Sequence, residues 1–105
     1  MENGKEAKKE YLISKIESII ENEKFRLDAY FLCGAAATPP NDKMRKVCEK
    51  YLEAVRSGQP DEAVTAAMLA EIEHVLSTEP AIKVRGDMTD NRNTLHEVWD
   101  NREYL

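Results

Sequence analysis

Two amphipathic helices separated by a short break, from Asn41 to Ser77, constrain the fold of this chain more than any other feature of its sequence. In the first half, apolar residues recur every three or four positions, at Met44, Val47, Cys48, Tyr51, Leu52 and Val55. In the second half the same spacing gives Val64, Met68, Ile72 and Val75. These spacings place each set on one face of an α-helix. The pattern therefore predicts a helical hairpin over residues 41–77, with the two apolar faces packed together as the core.

Local signals bound the two helices of this hairpin. Asn41 or Asp42, just after Pro39-Pro40, can cap the amides that begin the first helix. Ser57-Gly58 is expected to end it, because glycine readily adopts the left-handed conformation that closes a last turn. Pro60 suits the first turn of the next helix, where no backbone N–H is needed. So short a connection favours adjacent, antiparallel helices.

A long helix is predicted before the hairpin, from about Glu10 to Cys33. Residues 1–9 are polar, and we expect them to be frayed. An apolar stripe at helical spacing follows, at Leu12, Ile13, Ile16, Ile19, Ile20, Leu27, Tyr30 and Phe31. No glycine or proline interrupts the segment before Gly34. One continuous helix is therefore expected, and a kink over the polar residues 22–24 is the alternative.

A second apolar stripe runs along the end of this helix. It consists of Phe25, Ala29 and Leu32, and at about 100° per residue it lies nearly opposite the first stripe. A helix that is apolar on two sides is typical of one that is central in its bundle or buried against another chain. Two interpretations stay open. The last helix covers the second stripe through Trp99, or these four residues form a partner interface.

The expected fold is all-α: a small helical bundle of three main helices plus a short C-terminal helix, in a single domain over residues 1–105. The last helix is predicted over residues 93–104, with Asn93 or Thr94 as its cap. Its apolar face carries Leu95, Val98 and Trp99. Such a short helix is marginal alone, so Trp99 must pack against another element. Residues 81–92 read as a short extended piece followed by a loop.

Composition narrows the function classes. Fifteen basic and twenty acidic residues give a net charge of −5, which argues against broad nucleic-acid binding. No apolar run approaches the roughly 20 residues needed to cross a bilayer, and the first residues lack a secretory signal, so a cytoplasmic protein is expected. Cys33 and Cys48 have no metal-ligand spacing. No cofactor is predicted.

The pair Glu71 and His74 has a Glu-x-x-His spacing, which resembles the ligand motif of ferritin-like helical bundles. The resemblance implies a carboxylate–histidine metal site, in which a symmetric dimer supplies the second motif. Glu23, which lies on the line of the first apolar stripe, would be the additional carboxylate. The alternative is that Glu71 and His74 form a solvated helix flank, and on that interpretation no residue is predicted as a metal ligand.

The stretch from Arg92 through Asn93 to His96 resembles the arginine–polar–histidine motif of HEPN ribonucleases, with a shorter spacing than in that family. The resemblance implies RNA cleavage, with Arg92 stabilising phosphate charge and His96 acting as general acid or base. A capping loop at the start of the last helix is the alternative explanation of the same residues.

The sequence favours a non-enzymatic function without catalytic residues. We expect a small acidic interaction or regulatory protein that binds or inhibits a macromolecular partner. The expected partner interface consists of Phe25, Ala29, Leu32 and Trp99, and a homodimer formed by the C-terminal half of the first helix is its expected form. A ferritin-like metal-binding bundle and a HEPN-like ribonuclease are the alternatives.

Overall fold

The computed structural model of the protein describes residues 2–34, 39–58, 61–78 and 91–105, with side chains from Gly4 onward. These ranges contain four α-helices: α1 (Glu2–Cys33), α2 (Asp42–Arg56), α3 (Glu62–Thr78) and α4 (Arg92–Asp100). A short 3-10 helix, Arg102–Tyr104, follows α4. The predicted fold class is confirmed. The expectations for Pro60 and for the loop over residues 81–90 lie outside the described residues.

Helix α1 begins at Glu2, eight residues before the predicted start at Glu10, so the expected frayed segment is helical. Its lysine, glutamate and alanine residues have high helix propensity. Tertiary packing also supports it, because the Lys8 ammonium lies 5.6 Å from the centre of the Tyr104 ring. The helix is continuous through residues 22–24.

The hairpin and its core are as predicted. The side chain of Asn41 caps α2 by accepting a hydrogen bond of 2.9 Å from the Met44 amide. Gly58 follows the end of α2 with a φ of 75°, the left-handed conformation expected there. The buried apolar side chains are Leu12, Ile16, Ile19, Ile20, Met44, Cys48, Tyr51, Leu52, Met68, Ile72, Val75, Leu95 and Val98. All four helices therefore contribute to one core.

Helix α4 packs antiparallel along α1. The Tyr11 hydroxyl donates a hydrogen bond to Glu97, and Lys15 Nζ lies 3.8 Å from a Glu97 carboxylate oxygen. Further along, Tyr104 stacks beneath Lys8, so the chain approaches the start of α1 as it leaves α4. Helix α4 and the following 3-10 helix therefore lie along α1 between Lys8 and Glu23, and the last third of α1 lacks this neighbour.

The start of α4 differs from the prediction. The helix begins at Arg92, and its N-cap residue is Asn91, not Asn93 or Thr94. The Asn91 side chain makes no capping hydrogen bond, because it is bonded to α1 instead. Since Asn91 is buried, its position is set by tertiary contacts that a local cap motif does not reveal.

One core side chain, that of Tyr51, carries a buried hydroxyl whose effect on stability can be measured. Tyr51 is buried, burial raises its pKa, and its hydroxyl has no hydrogen-bond partner among the described residues. We expect Tyr51→Phe to raise the free energy of unfolding by about 1 kcal/mol, because it removes a buried unsatisfied group. Urea unfolding followed by circular dichroism measures the change.

The matched control is Tyr11→Phe, which removes a hydroxyl that does have a partner, Glu97. This variant is expected to lose about 0.5–1 kcal/mol. If Tyr51→Phe were the more destabilising of the two, the Tyr51 hydroxyl would have to be bonded in solution, contrary to the structure.

Candidate interaction surface

The C-terminal end of α1 exposes large apolar side chains. Phe25 is 63% exposed, Phe31 81% and Leu32 86%. We call these three residues the α1 patch. Single exposed leucines are common, but three large apolar side chains exposed on one short segment make it a candidate interaction surface.

The patch is exposed because α2 and α4 do not extend along α1 as far as its last turns. The backbone amide of Asn41, which precedes α2, and the side chain of Asn91, which precedes α4, both donate to the Glu23 carboxylate. The starts of α2 and α4 therefore lie level with Glu23. The segment of α1 from Lys24 to Cys33 continues for ten more residues, or about 15 Å, past this level.

The interpretation in which α4 covers the second stripe is wrong, since Phe25 and Leu32 are largely exposed. Trp99 lies near the other end of α4, half-buried against the core, with the Arg102 guanidinium 4.2 Å from its ring centre. The structure thus brings Phe25 and Leu32 together, with Ala29 half-buried beside them, and places Trp99 away from them.

Sequence reasoning missed Phe31 as a surface residue, because it continues the spacing of the buried stripe. A periodic pattern gives the direction of a side chain but not the point at which the neighbouring helices begin. The charged residues Lys24 and Asp28 were missed as well. Both are exposed beside the patch, and among the described residues neither forms an ion pair.

Glu23 and its partners form a buried polar cluster beneath the patch. Glu23 Oε1 accepts hydrogen bonds of 2.9 Å from Arg26 Nη1 and from Asn91 Nδ2. Its Oε2 accepts a bond of 2.7 Å from the Asn41 amide. The Asn91 side-chain oxygen in turn accepts a bond of 2.7 Å from Asn22 Nδ2. The carboxylate on the apolar stripe is therefore a structural connector that holds the starts of α2 and α4 to α1.

The residues of the ferritin-like motif do not converge. Glu71 is buried and lies 3.3 Å from Lys43 Nζ, whereas His74 is exposed on α3. Glu23 is engaged by the donors described above. Within residues 2–34, 39–58, 61–78 and 91–105 there is no group of three or more metal-ligating side chains that could hold an ion.

Arg92 and His96, the residues of the HEPN-like motif, both lie on α4. Arg92 is the first residue of the helix and is half-buried, and His96 is exposed one turn later. Asn93 is exposed between them. No contact in the structure tests RNA cleavage, so the ribonuclease interpretation stays a prediction.

The two cysteines differ sharply in environment. Burial raises the pKa of the Cys48 thiol to about 12, and the nearby carboxylates of Glu23, Glu49 and Glu71 add to this effect. Cys33 is exposed at the end of α1, next to the patch. Because the thiolate is the reactive form, Cys33 is the thiol that reagents will modify.

A shallow groove between α1 and α2 adjoins the patch. Ile20 and Leu52 form its apolar floor, and charged side chains line its walls, among them Glu17, Glu21, Lys24, Glu49, Glu53 and Arg56. An ion pair joins the two walls, with Arg56 Nη2 on α2 lying 3.5 Å from Glu17 Oε1 on α1. The groove extends along α1 as far as Lys24, the residue before Phe25 of the patch.

No helix in the described part of the chain is long and apolar enough to cross a membrane. Comparisons of this chain with protein-family models, with curated proteins and with solved structures give no significant match.

Proposed function

We propose that this protein is a non-enzymatic interaction module that binds or inhibits a macromolecular partner through the α1 patch, and that two copies associate at the same surface. The observation that carries the proposal is the exposure of Phe31 and Leu32, at 81% and 86%, on a helix that extends past the bundle. A helix with apolar side chains on several sides is ordinarily buried against another element.

The size of the patch supports a reversible interaction. If each of the three side chains offers roughly 200 Å² when fully exposed, their exposed fractions correspond to on the order of 450 Å². This total lies within the roughly 300–600 Å² of the largest apolar patch on a typical monomer, a patch that is often functional. A contact between two copies would bury about twice that area, below the roughly 1,200 Å² of a standard stable interface. We therefore expect a weak homodimer that a better-fitting partner can displace.

The charge of the chain favours a protein partner. The net charge of −5 opposes binding to the phosphate backbone of a nucleic acid. The exposed free thiol of Cys33 suits a reducing compartment, and the cytoplasm is the proposed location. In this proposal the bundle is a rigid support that presents the end of α1.

Leu32→Glu tests the proposal. The wild-type protein is expected to show a concentration-dependent increase in mass between low micromolar and millimolar concentration in sedimentation experiments. Leu32→Glu is expected to stay monomeric, because a charge inside a small apolar contact is costly to desolvate.

The matched control is Ala66→Glu, which adds the same charge at an exposed position on α3. It is expected to associate like the wild type. A wild-type protein that stays monomeric at every concentration would show that the patch does not mediate self-association.

A further inference from the structure

We infer that the second copy docks antiparallel on the end of α1, with Lys24 of each copy facing Asp28 of the other and Phe31 of each copy in the α1–α2 groove of the other. This inference rests on the proposed self-association and specifies its geometry.

The exposed side chains near the end of α1 lie on one side of the helix. At 100° per residue, five exposed residues fall within an arc of about 120°. In order around the helix they are Phe31, Lys24, Asp28, Leu32 and Phe25. The two charged residues therefore lie in the middle of the exposed face, between an apolar edge formed by Phe31 and another formed by Leu32 and Phe25.

The two charged residues of this face have opposite signs and are separated along the helix axis. Lys24 and Asp28 are four residues apart, or about 6 Å. A two-fold axis at the level of Arg26 brings Lys24 of each copy opposite Asp28 of the other and forms two reciprocal ion pairs. A parallel, in-register pair would instead place Lys24 against Lys24 and Asp28 against Asp28. The charges thus favour the antiparallel arrangement.

The apolar edges of one copy also meet apolar surface of the other copy in this arrangement. The same axis places Phe31 of one copy at the level of Glu21 in the other, on the side of α1 that forms the groove with α2. The groove floor there consists of Ile20 and Leu52. On the other edge, Phe25 of one copy lies within about two residues of Phe25 of the other, close enough for contact between their rings.

Area also favours this arrangement over a contact between two Phe25–Leu32 edges alone. Seating Phe31 in the groove covers an aromatic side chain that is 81% exposed and adds the groove walls to the contact. All three residues of the α1 patch are then covered, which brings the buried area close to the roughly 1,000 Å² that a specific interface needs.

Charge reversal tests the orientation. Lys24→Glu and Asp28→Lys each replace two attractive contacts by two repulsive ones in the antiparallel pair. Each single variant is expected to raise the dissociation constant at least about tenfold, as for two exposed ion pairs. The double variant Lys24→Glu/Asp28→Lys restores both pairs and should dimerise like the wild type. An equimolar mixture of the two single variants should form heterodimers.

A spin label on Cys33 gives a readout that does not depend on affinity. In the antiparallel pair the two Cys33 residues are separated by about 20 Å along the helix axes. In a parallel pair they are adjacent. Phe31→Ala should weaken the dimer, whereas Tyr11→Phe, on α1 far from the contact, should leave it unchanged. Urea unfolding of the dilute monomers checks that each variant is folded.

The outcomes separate the two proposals. If Leu32→Glu abolishes association but the single charge reversals leave the dissociation constant unchanged, the antiparallel geometry is overturned and the proposed function stands. Adjacent Cys33 labels would overturn it in the same way. If the wild type does not associate at all, the self-association itself is rejected, and this inference with it.

Discussion

Replacing Glu23 by alanine is expected to lower the free energy of unfolding by about 3–5 kcal/mol, the loss seen when one member of a buried ion pair is removed. The carboxylate is only 3% exposed and accepts from Arg26, Asn91 and the Asn41 amide. Alanine removes all of these acceptor sites at once. Because domains of this size are stable by only about 5–15 kcal/mol, the loss would be a large share of the total.

The control for this prediction is Glu10→Ala, which removes an exposed carboxylate from the same helix. Its effect should stay within about 0.5 kcal/mol. Urea unfolding at a concentration below that of self-association measures both variants. Equal effects of the two substitutions would mean that the Glu23 cluster does not hold the starts of α2 and α4 to α1.

The hairpin and most of the core could be predicted from the sequence, because these features depend on local periodicity. The spacing from Met44 to Leu52 and from Met68 to Val75 identifies the faces that the structure buries. Asn41 is likewise readable as a cap, since its capping bond is to an amide three residues away.

The starts of α1 and α4 could not be predicted, because they depend on contacts between distant residues. The first turns of α1 are polar, and their packing involves Tyr104 near the other end of the chain. The sequence did not identify Asn91 as the N-cap residue of α4, because its side chain is bonded to Asn22 and Glu23 on α1. No motif within a few residues of Asn91 carries that information.

The exposure of the α1 patch was predicted in part, and its role as a partner interface stays a prediction. Phe25 and Leu32 were found because they lie opposite the main apolar stripe. Phe31 was assigned to the buried stripe, whose direction it shares, yet it lies beyond the level at which α2 and α4 begin. The structure adds this axial information, and it also shows that Trp99 packs against the core away from the patch.

Two identical substitutions separate the core from the proposed interaction surface. Leu12→Ala is expected to lower the free energy of unfolding by about 2–5 kcal/mol, because Leu12 is 0% exposed and its truncation leaves a cavity in the core. Leu32→Ala removes the same atoms from a side chain that is 86% exposed. Its effect on the dilute monomer should be within about 0.5 kcal/mol.

The variant with the smaller effect on stability should have the larger effect on self-association. Leu32→Ala is expected to weaken the dimer, since it removes contact area from the α1 patch, whereas folded Leu12→Ala retains both the patch and the α1–α2 groove. Urea unfolding at low concentration and sedimentation at high concentration give the two quantities separately. A loss of monomer stability in Leu32→Ala comparable to that in Leu12→Ala would place Leu32 inside the folded subunit. The end of α1 would then have no apolar surface to offer a partner.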